Sequence, residues 1–98
     1  MSVANIVMFE FKDPDSIDDF CDWYRERGAF PGNTLSLWVR TGDTSAVGIN
    51  VYPDEAARQN ADKLREESMT EALRDAVTGA IPVSGDVLVT YINGALVE

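Results

Sequence analysis

Histidine is absent from this chain of 98 residues, cysteine occurs once, and eight basic residues stand against seventeen acidic ones. Each shortage removes a class of function. Without histidine the commonest general base is gone, and so is a common metal and haem ligand. A lone Cys21 excludes an intramolecular disulfide and any cysteine-built zinc or iron–sulfur site. It does not read as a catalytic thiol either, because a thiolate needs a cationic or basic partner to activate it. A small apolar residue packed in a helix is the expectation for Cys21. The net charge of −9 repels phosphate backbones and anionic lipid, so neither nucleic acid nor a membrane surface is expected as a partner. No apolar run approaches the roughly 20 residues of a membrane span, and the first residues carry no leader pattern. The expected compartment is the cytoplasm. Gly-rich phosphate loops, a Gly-x-Ser-x-Gly elbow and a nucleotide fingerprint are all missing. The acidic group Asp13, Asp15, Asp18 and Asp19 lacks the spacing of a calcium loop and reads instead as helix capping. No metal site is expected.

What is present describes one globular domain over residues 1–98. Apolar residues make up 45% and charged residues 26%, an ordinary soluble mix in a length that holds a single core. Val3 to Phe11 is rich in β-branched and aromatic residues and predicts a strand with both faces apolar. Asp13-Pro14 then caps a helix whose Ile17, Phe20, Cys21 and Tyr24 share one face and which stops at Gly28. Thr34 to Thr41 and Ala46 to Tyr52 alternate with period two and form a hairpin across a short Gly-containing loop. Pro53-Asp54-Glu55 opens a second helix, whose stripe of alanines and leucines predicts an end near Thr78-Gly79. Ala80 to Ser84 reads as a connector and Val87 to Ile92 as the last strand. Asn93-Gly94 has the form of a hairpin turn, and the tail after it is expected to cross to a neighbouring subunit.

The order βαββαβ predicts an α+β, ferredoxin-like fold: a four-stranded antiparallel sheet carrying two helices on one face. Leu35, Leu37 and Val39, with Val47, Ile49 and Val51, are expected to meet the helices. The opposite face then bears Ser36, Trp38, Arg40, Asn50 and Tyr52 with nothing in the chain to cover it. Burying a large apolar side chain is worth roughly 1.5–3 kcal/mol, so such a face calls for a partner or a ligand. The expected partner is a second copy, sheet face against sheet face across a twofold axis.

On three stretches the sequence resembles the dimeric α+β barrel superfamily, and within it the antibiotic biosynthesis monooxygenase-like proteins. These are Phe30-Pro31-Gly32 after the first helix, the strand Leu35-Ser36-Leu37-Trp38, and Ile49 to Ala57 leading into the second helix. The likeness spans nearly the whole chain. It implies a dimeric barrel, and among the family's activities are cofactor-independent oxygenation of aromatic polyketides and quinols, haem degradation and lactone isomerisation. The missing histidine disfavours haem chemistry and leaves a cofactor-free site of aromatic and amide groups.

Trp38, Arg40, Asn50 and Tyr52 are the candidate ligand-binding residues, and no catalytic residue is assigned. Trp38 and Tyr52 either stack an aromatic ligand or fill the dimer core. Arg40 either pairs with a phenolate or carboxylate or forms an ion pair within the protein or across subunits. Asn50, mid-strand among apolar neighbours, either fixes the sheet or presents a donor to ligand. The leading expectation is a cofactor-independent monooxygenase-like protein acting on an aromatic or quinone-like molecule held between sheet and helices. The rival is a non-catalytic dimeric domain that binds a small molecule or only self-associates. An isomerase-type relative acting through Glu10 would need that carboxylate buried.

Overall fold

The computed structural model describes residues 1–98. Strand β1, Val3–Phe11, forms where expected, but only one of its two apolar faces is covered: Val3, Asn5, Val7 and Phe11 are buried, while Ile6 and Met8 are exposed. Lys12 and Asp13 break it. The Asp13 carboxylate accepts from the Ser16 amide at 2.8 Å and opens α1, Pro14–Arg27. Pro14 in the first turn costs no helix hydrogen bond, and Gly28, at φ 79°, ends the helix in a conformation that other residues avoid. Strands β2, Leu35–Arg40, and β3, Ser45–Tyr52, form the hairpin. Asp54 caps α2, Glu55–Ser68, by accepting from the Ala57 amide at 2.8 Å.

From there the chain departs from expectation. The second helix does not run to Gly79. It stops at Met69, whose backbone is extended, and Thr70 caps a new short helix α3, Glu71–Ala76, accepting from the Leu73 amide at 3.3 Å. A hydroxyl able to cap competes with continuing the helix, and here capping wins. The fourth strand is β4, Val77–Asp86, not Val87 to Ile92, and it includes the expected connector Ala80 to Ser84. Pro82 and two glycines give that segment the look of a loop. In the sheet order β2-β3-β1-β4, however, β4 is an edge with β1 as its one neighbour. Proline, lacking an amide hydrogen, is tolerated on an edge strand. Residues beyond Asp86 leave the sheet and close a small separate hairpin, β5 (Tyr91–Ile92) against β6 (Ala95–Leu96). The turn at Asn93-Gly94 is as expected, with φ 52° and 78° at its two residues.

All three pairings of the main sheet are antiparallel, and the helices lie on one face, so the fold is ferredoxin-like α+β. The face they cover is the reverse of the one expected. Trp38, Asn50 and Tyr52 point toward the helices together with Ala46 and Gly48. Trp38 packs on Phe20 and Tyr24 of α1 at 5.1 and 4.9 Å between ring centroids. Tyr52 is fully buried and clusters with Phe30 and Ala61. The aliphatic set Leu35, Leu37 and Val39, with Ile6, Met8, Ile81 and Val83, is open to solvent. Alternation separates two faces without saying which one meets the helices. The choice lies in volume: bulky α1 aromatics stack on Trp38, for which Gly48 leaves the room. The core sits between this face and the helices, built on Phe11, Ile17, Phe20, Ala46 and Leu73.

Candidate functional site

Between α2 and the β1–β4 edge of the sheet runs a cleft of about 510 Å³. Its floor is Val7 and Phe9 from β1 with Ala80, Pro82 and Ser84 from β4. Asn5 stands at one end and Met69 closes part of the helix side. The wall is one face of α2, where Arg58, Asp62 and Arg65 follow at spacings of four and three residues and so project together. Asp62 joins them. Its Oδ2 accepts from Arg58 Nη1 at 2.7 Å, and its Oδ1 from Arg65 Nη2 at 3.0 Å and from Asn5 Nδ2 at 3.4 Å. Arg58 is also held by Glu55, one turn back. A flat apolar floor under a wall of fixed hydrogen-bonding groups suits a planar ligand with polar substituents at its edge.

Behind Arg65, on its buried side, lie two tyrosines. Burial pushes the hydroxyl pKa of both Tyr24 and Tyr52 upward, against the opposing pull of the Arg65 charge. The Arg65 guanidinium lies near both hydroxyls, although none of Tyr24 Oη, Tyr52 Oη and Arg65 Nε closes a well-aligned hydrogen bond. Burial also works against the Arg65 charge. Tyr24, Asp62 and Tyr52 outweigh it, so its pKa is raised and the guanidinium stays cationic.

The four residues named from sequence do not converge on this cleft. Trp38 borders a smaller hollow of about 260 Å³ between α1 and β2, together with Cys21, Tyr24 and Ser36. Asn50 is buried, and its Oδ1 accepts from Ser36 Oγ at 2.7 Å and Asn33 Nδ2 at 3.0 Å, which ties β3 to β2 and to the preceding turn. Arg40 lies outside, in an exposed ion pair with Asp18 at 3.1 Å. Tyr52 alone of the four stands beside the α2 wall, through Arg65. Glu10 is exposed and accepts from Thr44 Oγ1 at 3.1 Å, so the buried carboxylate that an isomerase reading requires is not there. Burial pushes the Cys21 thiol pKa up, which keeps it protonated and unreactive. No cluster of three or more metal-ligating side chains exists.

Asn5, Arg58, Asp62 and Arg65 were missed. Their signal was present: 58, 62 and 65 share a helix face, and Asn5 is the one polar residue on the inward side of β1. The period of the helix alone does not say that this polar face borders a cleft.

No protein-family profile matches the chain, and no curated protein does. Solved structures do. A dimeric ferredoxin-like protein from an uncultured marine organism superposes with a TM-score of 0.72 at 11% identity, over 94% of this chain and 92% of that one. SnoaB, a cofactor-independent oxygenase from Streptomyces nogalater, gives 0.65 at 22% identity over 91% and 95%. MhuD, a heme-degrader from Mycobacterium tuberculosis with two hemes bound in its active site, gives 0.64 at 16% over 91% and 98%. Identities at this level carry fold and not reaction. The chain thus has a ferredoxin-like α+β fold, one that a dimeric ferredoxin-like protein, an oxygenase and a heme-degrader share.

Proposed function

We propose that this protein is a cofactor-independent monooxygenase-like enzyme that binds an aromatic or quinone-like molecule in the cleft between α2 and the β1–β4 edge. The observation that carries the reading is the cleft itself, with its apolar floor and the Asn5–Asp62–Arg65 wall above it. It lies in the layer between sheet and helices. An anthrone or hydroquinone can serve as its own reductant. An anthrone methylene yields its two hydrogens to one oxygen atom, which leaves as water, while the second oxygen atom becomes the new carbonyl. That balance needs no external electron donor. The floor orients the ring, and the wall holds its oxygens. Tyr52 stands behind Arg65 on the buried side of the wall, and Trp38, outside the cleft, serves the core.

The working unit is a homodimer formed through the open sheet face. Support comes from Ile6, Met8, Leu35, Leu37, Val39, Ile81 and Val83, large apolar residues left 37–60% exposed on one surface of a strongly acidic chain. The C-terminal hairpin adds Leu88, Val89, Tyr91, Ile92, Leu96 and Val97, also exposed; its tail does not extend away as expected but folds back, Glu98 accepting from Ser2 Oγ at 2.6 Å. Patches of this kind mark association surfaces.

Oxygen uptake with a panel of anthrones and hydroxynaphthalenes, without added cofactor, tests the activity. Uptake above the buffer rate, reduced at least about tenfold (1.4 kcal/mol) in Asn5→Ala, is the expected outcome. Ligand binding with no uptake on any member would leave a non-catalytic binding protein in its place.

A further inference from the structure

Five asparagines occur in the chain, and four of them are held in place. Asn5 donates to Asp62 at 3.4 Å from within β1, and Asn33 donates to Asn50 at 3.0 Å. Asn50 is buried in β3, and Asn60 lies inside α2. The residues after them, Ile6, Thr34, Val51 and Ala61, each set a Cβ beside the main-chain nitrogen that an asparagine side chain would have to meet. Three of those nitrogens belong to strands or a helix, and the fourth, that of Thr34, donates to the Val51 carbonyl at 2.8 Å.

Asn93 differs on each count. It stands exposed at the tip of the C-terminal hairpin, and its successor is Gly94, which has no Cβ to crowd its nitrogen. In a two-residue turn the flanking residues, here Ile92 and Ala95, are the ones that pair, so the Gly94 amide is left free. The hairpin is also weak. Its strands have two residues each, residues 91–98 are all exposed, and none of them enters either apolar cluster of the core. A lone two-stranded hairpin is marginally stable at best in water. This one therefore opens at little cost, which frees the backbone around Asn93 from its single turn conformation.

We infer that Asn93 is a site of spontaneous covalent modification, converted to aspartyl and isoaspartyl forms through a ring closed by Gly94. Asparagine is among the chemically labile side chains. The Gly94 nitrogen forms a bond to Asn93 Cγ, the Cγ–Nδ2 bond breaks, and ammonia leaves with the proton that the attacking nitrogen gives up. Water then opens the cyclic imide. Attack at Cγ restores the ordinary chain with a carboxylate side chain, and attack at the main-chain carbonyl leaves the chain running through Cβ and Cγ. One water is consumed and one ammonia released, with no oxidant or reductant. Both products place a new carboxylate at the tip. The isoaspartyl form also lengthens the main chain by a methylene, so Ile92 and Ala95 lose their register. The change loosens the segment that carries the exposed Tyr91, Ile92, Leu96 and Val97, and it is independent of any ligand in the cleft.

The test is to hold the whole protein at mildly alkaline pH and body temperature, withdraw samples over weeks, and map their peptides by mass spectrometry. The peptide with Asn93 should be the first to gain about 1 Da, the difference between an amide and an acid. The same peptide should become a substrate for an isoaspartyl methyltransferase supplied with labelled S-adenosylmethionine, and Asn93→Asp gives the reference for the ordinary product. Gly94→Ala, which crowds the attacking nitrogen, should slow the gain about tenfold, the factor that about 1.4 kcal/mol of barrier gives. Asn93→Gln, whose longer side chain has to close a larger ring, should show no gain there over the same time. A gain first at Asn5, Asn33, Asn50 or Asn60 overturns the inference, and so does no gain in any peptide. An aspartyl product without its isoaspartyl companion overturns it as well, because the imide yields both. The wild-type map decides even if a variant fails to fold.

Discussion

At Gly48 the absence of a side chain makes room for the Trp38 ring on the helix-facing side of the sheet. A Cβ there would lie 2.5 Å from the Trp38 ring, and that ring is held by Phe9, Phe20 and Tyr24 at 4.9–5.5 Å between centroids. The indole can give way only toward the hollow it borders between α1 and β2. Gly48→Ala should cost about 1–3 kcal/mol by overpacking, read as a fall in the urea midpoint; an unchanged midpoint would mean the ring is free to move. Tyr52→Phe removes a hydroxyl that is buried without a partner, so stability should stay level or rise. A loss of more than about 1 kcal/mol would reveal a hydrogen bond that the structure lacks. The same tyrosines give a pH dependence. Their pKa values are raised in the folded state, first by burial, so the unfolded chain ionises them earlier as pH rises. Their contribution is fully present below about pH 10, the usual tyrosine value, and is lost as pH climbs from there toward the folded-state value. Denaturation followed between pH 8 and 11 should show stability falling at the upper end.

Among the elements, those with strong local signals were legible and those decided by neighbours were not. Asp13-Pro14 and Asp54 state their helix starts in the sequence, because a carboxylate that can reach an unpaired amide does so whatever lies around it. Asp54→Ala should therefore cost about 1 kcal/mol of stability, measurable by thermal unfolding. Strand β4 was hidden for the opposite reason. Pro82, Gly79 and Gly85 carry loop signals, and only the position at the sheet edge, beside β1, makes them tolerable. The break at Thr70 depends likewise on a single hydroxyl whose choice of partner no periodicity records. The site divides along the same line. Tyr52 stands out in the sequence as an aromatic that needs cover, although the helices and not a second copy supply it, while nothing in the sequence sets the Arg58–Asp62–Arg65 face apart from solvated helix surface. What turns it into a wall is β4 lying opposite, and β4 was the element misplaced.

On the scale of the whole molecule, two surfaces divide the work. The helix-side face holds the cleft, and the aliphatic face is left for self-association. The proposed dimer uses the aliphatic face and not the one expected from sequence, which the helices cover. In a twofold pair the same patch meets itself, so one substitution places two like charges in the interface. Leu37→Asp should give a folded monomer by sedimentation at micromolar concentration where the unaltered protein runs as a dimer. A native protein that sediments as a monomer would remove the self-pairing.

The division of the two faces can be tested in one measurement: amide chemical shifts of the isotope-labelled protein during titration with 4-nitro-1-naphthol. The account predicts shifts at Asn5, Val7, Asp62, Arg65 and Ser84, around the cleft, and none at Leu37, Val47 or Ile81 on the open face. Shifts confined to the open face, or no shift anywhere at saturating probe, would contradict it.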